Sequence, residues 1–194
     1  MSRFQEFHIH GDNIVECERT FFIINSAIND LIKSAAGPVG SPVCPEYQIL
    51  LNVQENLLRF VFYLGFGRWN EDIILFIRER GGLLREATDA VVTGVGSEYE
   101  EPLIAFEYCG ALPAGNQAWQ RSGRAYSFGL AKIPYFYVAE LGGFELDSDR
   151  NRRSPRMSNP AVPFSYVSFS LEQKTPVLPI FITSPGADEA SRNA

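Results

Sequence analysis

Between residues 102 and 141 the chain reads as strand, helix and strand, and this stretch constrains the fold more than any other. PLIAFEYC (102–109) is almost wholly apolar, GALPAG turns the chain, residues 115–131 fit a helix, and YFYVAEL (135–141) is a strong strand. Ala118, Trp119, Ala125 and Phe128 form the apolar side of that helix, and Ile133-Pro134 ends it. Two strands joined through a helix lie parallel, because the helix carries the chain back to the end where the first strand began. The expected fold is therefore α/β (α+β): a mixed central sheet flanked by helices.

The remaining elements fill out that sheet. Apolar residues from Asn13 to Ser34 approximate a helical stripe, started by Gly11 and Asp12 and stopped by Gly37-Pro38, and GPVGSPVCPE reads as a loop. YQILLNV (47–53) and LLRFVFYLGF (57–66), separated by Gln54, Glu55 and Asn56, predict a hairpin. WNEDIILFIRERGG predicts a short helix, and LREATDAVVTG another strand. Near the C-terminus SYVSFSL alternates like a strand, and VLPIFI is strand-like too. Residues 1–183 are expected to form one domain. SPGADEASRNA, from Ser184 on, is small and polar and reads as a flexible tail or the start of a linker to a further domain.

Composition narrows the function classes. The 194 residues are 45% hydrophobic, which suits one sizeable core and argues against disorder. No apolar run approaches the roughly 20 residues that span a bilayer. The N-terminus lacks the apolar core of a signal peptide, so the expectation is a soluble, cytoplasmic protein without a membrane partner. Cys17, Cys44 and Cys109 cannot all pair and none stands in a CxxC arrangement, which argues for reduced thiols. A net charge of −6 counts against nucleic acid for the chain as a whole. Locally, Arg150, Arg152, Arg153 and Arg156 crowd seven positions and offer a basic patch. No GxxxxGK loop supports ATP use. His8 and His10 alternate in HIHGD, ahead of Asp12, and alternating strand residues share a face. A zinc site there would lack a third histidine, since the chain has only two.

Three acidic residues stand where exposure does not explain them. Glu16 lies early in the first helix, Asp89 is embedded in ATDAVV, and Glu107 follows the apolar run PLIAF. Acidic residues are depleted in strands, and desolvating a carboxylate is costly unless it is paired or bound to a cation. Two carboxylates from adjacent strands can converge on one hard divalent ion, magnesium being the usual one. Each also has a structural explanation. Asn13-x-x-Glu16 has capping-box spacing, Asp89 could pair with Arg85, and Glu107 with Arg121 or Arg124.

Helix, strands, helix and strand, with acidic residues in the first helix and on two strands, resembles the PD-(D/E)XK nuclease superfamily and its restriction-endonuclease-like enzymes. The likeness covers about residues 11–141. It implies a magnesium-dependent endonuclease hydrolysing phosphodiester bonds of double-stranded DNA, as type II restriction endonucleases do. On this resemblance Asp89 and Glu107 hold Mg2+, and Glu16 acts through water or orients a second metal. The motif's lysine position, two after Glu107, is Cys109 here, and a neutral thiol cannot supply an ammonium's charge. The following helix offers Gln117, Gln120, Arg121 and Arg124 as substitutes, with Lys132 farther along. The implied catalytic set is Glu16, Asp89, Glu107, Gln117 and Gln120. Arg121, Arg124, Arg150, Arg152, Arg153 and Arg156 are the implied DNA contacts. A homodimer, or a larger multidomain chain, would supply the sequence recognition for which this length has little room. Two other classes stay open. One is a non-catalytic DNA- or protein-binding module on the same fold. The other is a sheet-based enzyme using Cys109 or Cys17 with His8 or His10.

Overall fold

The computed structural model describes residues 4–66, 68–83, 86–109, 116–141, 144–146, 152–155 and 161–183. The fold is α/β, with strands in a mixed parallel and antiparallel arrangement and, among the described residues, four α-helices. Two compact units make it up: Met1–Phe76 with Arg85–Phe106, and Ile77–Leu84 with Glu107–Ala194.

The first unit is built on β1 (Glu6–Gly11), α1 (Ile14–Ala27), β2 (Ile32–Ser41), β3 (Cys44–Leu51), β4 (Leu57–Leu64), β5 (Ala90–Val95) and β6 (Glu100–Cys109) as far as Phe106. In space the strands run β6-β5-β1-β4-β3-β2. β1 pairs parallel with β4 and antiparallel with β5, and β5 pairs antiparallel with β6. The expected hairpin is the β3–β4 pair.

Alternation along β1 gives the sheet two unlike faces. Phe7 and Ile9 point to one side, opposite Phe60 and Phe62 of β4. There α1 lays down Cys17, Thr20 and Phe21, and Phe21 stacks on Tyr47 at 4.4 Å and meets Phe60 edge-on at 5.4 Å. Phe21, Phe60 and Phe62 are buried, and each such side chain withdrawn from water contributes about 1.5–3 kcal/mol. The other face carries Glu6, His8 and His10, with Arg59 and Tyr63 of β4 and Thr93 of β5 at the paired positions. One face is a hydrophobic core and the other a polar cluster.

In the second unit β7 (Tyr135–Leu141) pairs parallel with β10 (Val177–Thr183), and β8 (Phe144–Leu146) pairs with β9 (Arg152–Pro155). Helices α3 (Asn116–Leu130) and α4 (Ala161–Gln173) pack on each other so closely that a Cβ on Gly129 would stand 1.7 Å from Gln173 Oε1. Tyr166 of α4 meets Tyr137 and Tyr135 edge-on at 5.4 and 6.0 Å, and all three rings are buried. A fourth helix, α2 (Asn70–Glu79), follows β4 in the chain and matches its prediction.

Four expectations are corrected. The first helix stops at Ala27, followed by a 3-10 turn at Asn29–Leu31, and the expected GPVGSPVCPE loop lies within β2, β3 and their connection. β2 ends the sheet order and its ladder shifts register between Ala36 and Val39, an irregular edge where Pro38 and two glycines are tolerated. SYVSFSL is helical, part of α4. Its two-residue alternation also permits helical spacing: Tyr166 and Phe169 lie on one side, 6.2 Å apart, while Phe164 and Leu171 are exposed. Pro163, in the first turn where no helical N–H is needed, is the signal that points to a helix start. Finally, β5 begins at Ala90, so Asp89 precedes the strand and does not lie inside it. Among the described residues no helix is long and apolar enough to cross a membrane.

Candidate functional site

Two of the acidic residues singled out by sequence, Glu16 and Asp89, lie in the first unit, one in the first turn of α1 and the other just before β5. Asn13 caps α1, its Oδ1 accepting from the backbone N–H groups of Val15 and Glu16 at 2.9 and 3.2 Å. This is the asparagine half of the capping box that the Asn13-x-x-Glu16 spacing offers, and it sets half-buried Glu16 in the first turn. The backbone N–H of Asp12 donates to the carbonyl of Asp89 at 3.0 Å, tying the start of α1 to the residue before β5. Across the strands, Gly11 pairs with Ala90 and Ala90 with Phe106. Thr88 Oγ1 donates to the Phe106 carbonyl at 2.6 Å and secures this end of the ladder. Asp89, the neighbour of Ala90, is half-buried.

In the second unit, Glu107 is 1% exposed and accepts from two arginines of α3. Arg124 Nη1 reaches Oε1 and Oε2 at 2.8 and 3.1 Å, and Arg121 Nε reaches Oε1 at 3.2 Å. Both arginines that the spacing proposed for Glu107 therefore bind it. Arg121 also extends Nη1 to Cys109 Sγ at 3.2 Å, so a guanidinium stands beside this buried thiol. Burial pushes the Tyr137 phenol above its ordinary value, and the neighbouring Cys109 adds to the shift. Burial raises Tyr166 as well, and the Glu107 charge adds to it.

Gln117 and Gln120 lie in the first turns of α3, where Gln120 is exposed; the Gln117 side chain lies outside the described residues. Arg152 and Arg153 fall in β9, with side chains outside the described residues. Arg85, Arg150, Arg156 and the tail from Ser184 also lie outside them. Cys17 is fully buried, its Sγ 3.6 Å from the Ile9 carbonyl, and burial pushes its thiol up to about 12. A thiol so disfavoured as thiolate is a poor nucleophile.

The polar face of the first unit's sheet holds a second cluster. His8 and His10, 2% and 0% exposed, meet Glu100 of β6. Glu100 Oε1 lies 3.0 Å from His8 Nδ1, 2.6 Å from His10 Nε2 and 2.6 Å from the Thr93 hydroxyl. His8 Nε2 lies 2.8 Å from Glu6 Oε1, and Glu6 is held in turn by Arg59 at 2.6 Å. Arg68 places Nη1 2.9 Å from His8 Nδ1 and its guanidinium over the Tyr63 ring. Three polar groups thus crowd one carboxylate oxygen, while the buried Nδ1 of His10 has no hydrogen-bond partner.

Charge follows the geometry. Burial favours the protonated form of Glu100, yet the bonds from His10, His8 and Thr93 outweigh it and hold the carboxyl well below its usual range. Burial lowers the His10 pKa, and hydrogen bonding to Glu100 offsets that only in part. Two imidazoles and a carboxylate whose ligand atoms lie within 4.8 Å of one another could hold a metal ion. Sequence reading found the two histidines but missed Glu100; its placement at the start of a strand, in EYEEPLI, is the only local signal.

No protein-family model matches the chain, and no curated protein or solved structure matches it.

Proposed function

We propose that the chain is a magnesium-dependent endonuclease acting on double-stranded DNA. The observation that carries this reading is the Arg121 guanidinium between Glu107 and Cys109. It brings a permanent positive charge to the position where the motif's lysine is missing, from the helix in which sequence reasoning sought a substitute. The capped first turn bearing Glu16, and Asp89 beside the secured Ala90–Phe106 rung, add support.

The oxygen donors of Asp89 and Glu107 suit Mg2+ in kind, and these two residues would hold it. Bound magnesium supplies an activated water and neutralises charge on the scissile phosphate. On this reading Glu16 would orient water, and Gln117 and Gln120 would position water or phosphate. Arg121 and Arg124 bind phosphate oxygens through their planar forks, with Arg150, Arg152, Arg153 and Arg156 contacting the DNA backbone.

A second reading, a non-catalytic DNA- or protein-binding module on the same fold, is favoured by the two guanidiniums already neutralising Glu107. Supercoiled plasmid incubated with Mg2+ separates the two. The nuclease reading expects nicking or linearisation that stops with EDTA and falls on the order of 100-fold in Asp89→Asn. Full cleavage by Asp89→Asn, or none by the wild type on any duplex tested, sinks it.

A further inference from the structure

We propose that His8, His10 and Glu100 form a site for a divalent first-row transition-metal ion of the zinc type, on the polar face of the first unit's sheet. It does not rest on the nuclease reading and uses none of that reading's residues.

The donor set comes first. Two imidazoles and one carboxylate select zinc or iron, whereas magnesium prefers oxygen ligands throughout. The spacing comes second. Metal–ligand bonds of about 2.0–2.2 Å place neighbouring ligand atoms roughly 3.0–3.5 Å apart. Glu100 Oε1 stands 2.6 Å from His10 Nε2 and 3.0 Å from His8 Nδ1, so these two separations need only open by a fraction of an ångström, and all three ligand atoms lie within 4.8 Å of one another. Support behind the ligands is also built in. Glu6 takes the far nitrogen of His8 at 2.8 Å, which leaves the Nδ1 lone pair facing the centre, and Thr93 holds Glu100 at 2.6 Å.

Hydrogen bonding alone leaves this centre in conflict. His8 Nδ1 has an Arg68 N–H group 2.9 Å away and a carboxylate oxygen 3.0 Å away. A ring nitrogen either donates or accepts. If it accepts from Arg68, its lone pair faces the oxygen of Glu100. If it donates to Glu100, its N–H faces that of Arg68. A cation between Nδ1 and Oε1 resolves both cases, and Arg68 then pairs with Glu100 Oε2, already 3.5 Å away. A cavity of about 440 Å³, lined by Arg68, Trp69, Asp72, Tyr99 and Glu100 among others, opens onto the carboxylate of the set.

Zinc titrated calorimetrically into the full chain, stripped with EDTA, should bind one ion per chain at micromolar affinity or tighter. The Co2+ form should show visible d–d absorption without a thiolate charge-transfer band. Glu6→Gln, which weakens the support behind His8 and the Glu6–Arg59 pair but removes no ligand, should weaken zinc binding about 10–100-fold. Glu100→Gln should weaken it at least as much, and Asp89→Asn should leave it unchanged. Failure of the wild type to bind zinc stoichiometrically overturns the proposal whatever the variants do. So does a thiolate band, or zinc affinity unchanged in both Glu6→Gln and Glu100→Gln.

Discussion

Replacing Glu107 by glutamine keeps the shape of the side chain and removes its charge. The carboxylate is 1% exposed and accepts three hydrogen bonds from Arg121 and Arg124, whose side chains are 18% and 19% exposed. Removing one partner of a fully buried ion pair costs about 3–5 kcal/mol, because the remaining charge is left without compensation. Both guanidiniums keep part of their surface in water, and one also reaches Cys109, so the expected loss lies at the lower end, about 3 kcal/mol. For a chain of this size that is a fall of about 6–12 °C in the thermal midpoint, read by circular dichroism. The triple variant Glu107→Leu, Arg121→Met, Arg124→Met removes all three charges together and should recover most of the loss, since apolar replacement of a buried ionic group is often neutral or stabilising. A Glu107→Gln midpoint within about 1 °C of wild type would refute the reasoning, as would a triple variant no more stable than the single one.

Two further outcomes follow from the same structure. In the metal-free protein, stability should fall as pH drops below the ordinary histidine value, because burial lowers the His10 pKa and the unfolded chain takes up a proton that the folded one resists. Glu100, held below the usual carboxylate range, adds a second loss in acid below about pH 4. Urea midpoints measured from pH 7.5 to 3.5 check both, and a His10→Asn variant with an unaltered acid slope above pH 5 counts against the first. Thiol labelling at pH 8 should modify half-buried Cys44 first and spare Cys17, whose thiol is pushed up to about 12, until the protein unfolds; equal rates for the two would refute that assignment.

The local chemistry of this fold is written in short stretches of sequence. The apolar run 102–109, the helical stripe over 115–131 and the strand at 135–141 each appear where periodicity places them. The Asn13 cap and the pairing of Glu107 with Arg121 and Arg124 are legible too, because both partners are given by spacing within or beside one helix. Periodicity, however, tells which face a side chain takes and not what lies opposite it. β2 escapes notice because an edge strand is held by backbone bonds that leave no side-chain pattern. α4 is misread because a short alternating run fits both periods. The meeting of His8 and His10 with Glu100 spans 92 and 90 positions of chain. The amino-acid sequence by itself determined two histidines on one face of a strand. Only the pairing of β1 with β5 and of β5 with β6, a non-local register chosen by the packing of the whole sheet, decided that a carboxylate would stand beside them.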